Sequence, residues 1–184
     1  MFSLKTDKTH LPVKAKVSFG CLSSHDLNVD IDYLMSLDQK DIITIRYEGV
    51  DGKSLFEVTL NDGLMTSLSL ICFKGSIEIY DSIWTRPQNI NEELFSYRLF
   101  MDEQNCVIGV DPHEINQRKD FCFLIYSDAV LFLTGTGEVY SSHKISDELY
   151  ILLAKNGLVL GYVVLSEKEV LRFKEVYGGA NKGA

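Results

Sequence analysis

Apolar and polar residues alternate with period two over much of the chain, which predicts strands with one buried face. Lys14-Ala15-Lys16-Val17-Ser18-Phe19 is the first such stretch. Ile43, Ile45 and Tyr47 then alternate with Thr44 and Arg46. The loop Gly49-Val50-Asp51-Gly52 returns the chain into Leu55 to Leu60. Asn61-Asp62-Gly63 is a hairpin signal, because Asn, Asp and Gly tolerate the positive φ of tight turns. Leu64 to Phe73 is the next predicted strand, and after Lys74-Gly75-Ser76 the segment Ile77 to Tyr80 is expected to pair back, giving a four-stranded meander. In the second half, Phe121 to Tyr126, Ala129 to Thr134, Glu138 to Ser142 and Leu158 to Leu165 read as strands. The charged stretch Asp111 to Asp120 reads as a connection and as the best internal boundary.

Helices are predicted where the spacing changes. Ile31, Leu34 and Met35 lie three and four apart behind acidic residues that suit a helix N-terminus, predicting a short helix over 30–37. Ser146-Asp147-Glu148 looks like an N-cap and first turn, with Asn156-Gly157 as the stop. Ser166-Glu167-Lys168-Glu169 is a capping box that opens a helix presenting Val170, Phe173 and Val176 on one face. The segment 92–101 fits either helix or strand. The expected fold is therefore α+β: an antiparallel β-rich meander with three or four short helices, forming a single compact domain over 1–184 with a flexible tail at 178–184.

One self-similarity cuts across these elements. Gly75-Ser76-Ile77-Glu78-Ile79-Tyr80-Asp81-Ser82 matches Gly135-Thr136-Gly137-Glu138-Val139-Tyr140-Ser141-Ser142 at an offset of 60 residues, and Glu93-Leu94-Phe95 answers Glu148-Leu149-Tyr150. Duplication would make 68–111 and 128–165 two related β-and-helix halves sharing one core, with 92–101 helical like 146–155. The competing reading is that β-hairpins reuse Gly, Tyr and Val for the same physical reasons. The first copy carries an insertion that holds the only tryptophan, Trp84, with Arg86 and Pro87 beside it. Trp and Arg are enriched at binding hot spots, so Trp84 and Arg86 are candidate partner contacts. The alternative is a loop plug over the core.

Charge narrows the class of partner. Lys and Arg number 18 against 26 Asp and Glu, a net charge of -8. That balance disfavours nucleic acid, whose binders cluster cations against phosphate, and suits a basic protein or simple solubility. Asp26, Asp30, Asp32, Asp38 and Asp41 form the densest acidic segment. Of these, Asp26, Asp30 and Asp32 are candidate contacts for a basic partner. The cysteines Cys21, Cys72, Cys106 and Cys122 show no paired spacing, no apolar run opens the chain, and no stretch reaches the ~20 apolar residues of a membrane helix. These features predict a cytoplasmic protein that needs no membrane.

Catalytic and ligand motifs are missing. There is no phosphate loop, GxSxG elbow, HExxH or calcium loop, and Cys106, His113 and Cys122 match no standard zinc spacing. No cofactor or metal is expected. The sequence therefore points to a non-enzymatic protein-binding module, an inhibitor or immunity-type protein that masks a basic partner such as a toxin. The alternative is an enzyme or small-ligand binder whose site is built from dispersed residues.

Overall fold

A computed structural model describes residues 4–8, 15–20, 27–33, 42–61, 63–75, 77–87, 89–91, 97–101, 114–118 and 121–177. The strands are β1 (Leu4–Lys8), β2 (Ala15–Gly20), β3 (Leu27–Tyr33), β4 (Ile42–Glu48), β5 (Leu55–Asn61), β6 (Leu64–Cys72), β7 (Ile77–Ile79) and β8 (Asn89–Asn91). They continue with β9 (Tyr97–Met101), β10 (Glu114–Arg118), β11 (Cys122–Ile125), β12 (Val130–Leu133), β13 (Ser141–Ser146), β14 (Leu149–Leu153) and β15 (Val159–Val164), followed by helix α1 (Glu167–Tyr177).

The strands form two sheets. The first has the order β1-β9-β6-β5-β4-β10, with β3 also on β6 and β2 on β3. The second has the order β7-β11-β12-β15-β14-β13-β8. Both contribute to one core: Val29, Ile45, Phe56, Val58 and Leu68 from the first meet Phe123, Phe132, Ile151, Tyr162 and Val164 from the second. Phe56 stacks on Phe132 across the gap, centroids 5.6 Å apart, and Phe173 of α1 packs edge-on against Phe123 and Phe132. The result is a β-sandwich closed at one end by α1.

The two sheets use alternation differently. On β3 to β6 the residues between the core positions are polar: Asn28 and Asp30, Thr44 and Arg46, Glu57 and Thr59, Ser67 and Ser69. These lie opposite one another in the register, Arg46 pairing with Glu57 and Asn28 with Ser69, so the first sheet has a wet outer face. On β12, β14 and β15 both sets are apolar. Leu131, Tyr150, Leu152 and Val163 form a second cluster on the outer face, with Trp84 lying over it.

This two-sided burial corrects the expected fold class. The structure is mostly β, with α1 the single helix among the described residues, rather than α+β with three or four helices. Residues expected to be helical over 146–155 form the turn at Asp147-Glu148 and strand β14, every residue of which is buried. The N-cap signal is real chemistry in another setting: the Ser146 hydroxyl accepts the Glu148 amide at 3.2 Å, closing a hairpin in which Ser146 faces Leu149. Asn156-Gly157 likewise turns a hairpin, with Gly157 at φ 81° and the Asn156 side chain accepting the Leu158 amide. In the 30–37 segment, residues up to Tyr33 continue β3, whose Leu27, Val29 and Ile31 alternate into the core. The remainder lies outside the described residues.

Other expectations hold or shift. The strands expected from Lys14 to Phe19, Ile43 to Tyr47, Leu55 to Leu60, Leu64 to Phe73, Phe121 to Tyr126, Ala129 to Thr134 and Leu158 to Leu165 correspond to β2, β4, β5, β6, β11, β12 and β15. Strands β5 and β6 form a hairpin with Asn61 opposite Leu64, and α1 follows Ser166. The meander stops at three strands, because β7 leaves the first sheet and runs parallel to β11 in the second. The 111–120 connection contains β10, parallel to β4, and the strand expected over 138–142 starts at Ser141.

The picture of two β-and-helix halves is corrected with the fold class. Segment 68–111 gives β6 and β9 to the first sheet and β7 and β8 to the second, whereas 128–165 places β12 to β15 all in the second. Residues 97–101 are strand β9, and the tail at 178–184 lies outside the described residues. No helix among the described residues is long and apolar enough to cross a membrane.

Candidate functional site

Strands β7 and β8 sit at opposite edges of the second sheet, and the chain between them must pass across the outer face. Six strand spacings of about 4.8 Å make a width of roughly 29 Å. The ten Cα steps from Ile79 to Asn89 reach at most about 33–36 Å. The connection is thus a strap with little slack. Trp84 stands at its midpoint, over Leu131 of β12, Val163 of β15 and Tyr150 and Leu152 of β14, the strands at the middle of the sheet.

The first half of the strap is fastened to the turn after β11. The Tyr80 amide donates to the Ile125 carbonyl at 2.7 Å, the Ser127 amide to the Ser82 carbonyl at 3.0 Å, and the Trp84 amide to the Asp128 carboxylate at 2.8 Å. Tyr80 stacks on Tyr126, centroids 4.8 Å apart and rings 13° from parallel. Trp84 is 8% exposed, so its indole holds the strap down rather than reaching outward. Arg86 is exposed, its guanidinium 5.4 Å from the centroid of the Tyr150 ring.

With Trp84 pinned, its neighbours are displayed. Ile83 is 71% exposed, Ile79 42% and Tyr80 38%, three large apolar side chains within five residues. Glu78 and Asp81 lie between and beside them, both exposed. The Tyr80 hydroxyl donates to Glu78, and this bond, ahead of slight burial and the negative charge, raises the phenol above its ordinary range. Cys122, next to this edge on β11, has a thiol raised above its ordinary range, first by burial and then by the Glu78 charge.

The residues singled out by sequence do not converge. Trp84 and Arg86 lie on the outer face of the second sheet. Asp30 lies on the outer face of the first, exposed and accepting a hydrogen bond from Asn28 at 2.9 Å. Asp32 follows on β3, opposite Lys16 of β2, and Asp26 lies outside the described residues. The whole sandwich separates the acidic strand from the tryptophan strap, so they cannot form one contact surface.

Of the cysteines and histidine weighed for a zinc site, Cys106 and His113 lie outside the described residues. No group of three His, Cys, Asp or Glu among the described residues could hold a metal ion. Ser141 Oγ lies 3.2 Å from His143 Nε2, a contact that the i, i+2 spacing on β13 brings about by itself. Sequence reasoning passed over Ile83, Tyr80, Glu78 and Tyr126. The available signal was an unpaired Ile next to Trp in an otherwise polar stretch. No model of a known protein family matches the chain, and no curated protein sequence matches it.

Proposed function

We propose that this chain is a non-enzymatic protein-binding module that masks a basic partner, in the manner of an inhibitor or immunity protein, and that it binds through the strap edge at residues 78–83. The observation that carries the reading is Ile83, 71% exposed beside a tryptophan that is 8% exposed. An apolar side chain held in water by a fixed backbone loses little entropy on docking, which is how pre-organised loops gain affinity. The surrounding composition agrees: tyrosine, isoleucine and arginine on the same strap, with carboxylates at the rim. Net charge -8 favours fast, salt-sensitive encounter with a cationic surface.

This reading moves the binding surface from Trp84 to its neighbours and leaves Asp30 and Asp32 with long-range attraction. The test is affinity purification of the tagged chain from its native host at low salt, in parallel with Ile83→Asp. A stoichiometric basic protein that the wild type retains and Ile83→Asp loses, both folded by circular dichroism, is the expected result. Failure to recover a stoichiometric partner, or equal recovery by both, overturns the reading.

A further inference from the structure

This inference rests on the protein-binding reading and names the side chain that the partner brings. The Tyr80 ring is backed on one face. That face lies flat on Tyr126. With that face covered, Tyr80 as a residue is still 38% exposed. A phenol that donates its proton to a carboxylate, as Tyr80 does to Glu78, has a more electron-rich ring, which strengthens attraction for a cation over its face.

The charges around the ring are unbalanced. Ion pairs elsewhere join Arg46 to Glu57, Lys144 to Asp147 and Arg172 to Glu169, but no cation among the described residues pairs with Glu78 or Asp81. Both carboxylates are exposed and flank Tyr80 in sequence. Glu78 uses one oxygen toward the Tyr80 hydroxyl and has capacity for further donors.

We propose that Tyr80 and Glu78 form a receptor for one arginine side chain of the partner. The guanidinium stacks on the outer face of Tyr80 and donates N–H groups to the Glu78 carboxylate, while Asp81 adds long-range attraction. A guanidinium fits better than an ammonium because it is planar, weakly hydrated and presents donors in its own plane, so one group stacks and hydrogen-bonds at once. Tyr126 acts as the backing plate that fixes the ring.

The probe is N-acetyl-arginine amide, titrated into isotope-labelled full-length protein with the Tyr80 and Tyr126 ring signals followed by NMR. N-acetyl-citrulline amide, of the same shape and no charge, is the control. Saturable shifts with arginine and none with citrulline are expected, weakened about threefold or more by Glu78→Gln and abolished by Tyr80→Ala. Equal shifts from citrulline, no shift at either ring, or an unchanged titration in a folded Glu78→Gln overturns the receptor. The partner assay separates the two claims. If Ile83→Asp loses the captured partner while Tyr80→Ala and Glu78→Gln keep it, the receptor falls and the protein-binding reading stands. Arginine-selective shifts without any captured partner retain the receptor and remove the reading on which its protein source rests.

Discussion

Tyr162 carries an uncompensated polar group into the core. Its ring is fully buried between the sheets, 6.0 Å from Phe56, and its hydroxyl has no hydrogen-bond partner among the described residues. Tyr47, also buried, places its hydroxyl on the Thr134 side chain. A buried hydroxyl without a partner costs about 1–3 kcal/mol, whereas a satisfied one contributes roughly 1. Tyr162→Phe should therefore leave stability unchanged or raise it by about 1 kcal/mol, and Tyr47→Phe should lower it, both by urea denaturation. Loss of stability in Tyr162→Phe would mean that the hydroxyl is satisfied in solution. Burial raises both phenols in the folded state, Tyr162 further by the proximity of Tyr47. The sign follows from linkage: these protons are released more readily by the unfolded chain, so stability is intact below the ordinary phenol range near 10 and falls above it. The slope is about 1.4 kcal/mol per pH unit for each buried tyrosine. Ultraviolet titration should show at least two of the nine tyrosines ionising only on unfolding.

Among the elements, the strap is the one whose length matters. Ten Cα steps against a width of roughly 29 Å leave only a few ångströms to spare. Deleting Thr85 and Arg86 reduces the reach to about 26–29 Å, so either β8 leaves β13 or Trp84 leaves its cluster. A loss of about 3 kcal/mol is expected, comparable to removing a buried tryptophan. Inserting two glycines after Arg86 should cost under about 1 kcal/mol, since added loop length is cheap. Equal effects of deletion and insertion would show that the strap is slack.

The elements also show what the sequence made legible. The first sheet could be read because its outer face is polar: Ile45 and Tyr47 alternate with Thr44 and Arg46, and Phe56 and Val58 with Glu57 and Thr59. In β14 a strap covers the outer face as well, so Leu149 to Leu153 is apolar throughout. The period that separates strand from helix vanishes, leaving Ser146 to suggest a helix cap. The site was half legible. The Trp84 insertion drew notice for its composition, but which residue turns outward depends on a sheet whose opposite edges, β7 and β8, are each fixed by long-range pairing, with β11 and with β13.

For the whole molecule, the arrangement decides how it unfolds. The inner and outer clusters look like separate layers, yet the same strands build both. Val130 and Phe132 face inward while Leu131 faces outward, Ile151 alternates with Tyr150 and Leu152, and Tyr162 and Val164 enclose Val163. Neither cluster can dissolve without withdrawing support from β12, β14 and β15, so the outer layer is expected to melt with the core and not peel away first. The chain supplies its own reporter, because the only tryptophan lies in the outer cluster. Trp84 fluorescence, blue-shifted in the native state, should follow the same urea transition as far-ultraviolet circular dichroism, with coincident midpoints and equal slopes. Trp84→Phe should move the whole dichroism transition to lower urea as one cooperative step. An earlier fluorescence midpoint would show an outer layer that opens on its own, and with it a strap too mobile to hold Ile83 ready for a partner. The unfolding curve thus tests the same rigidity on which the proposed binding surface depends.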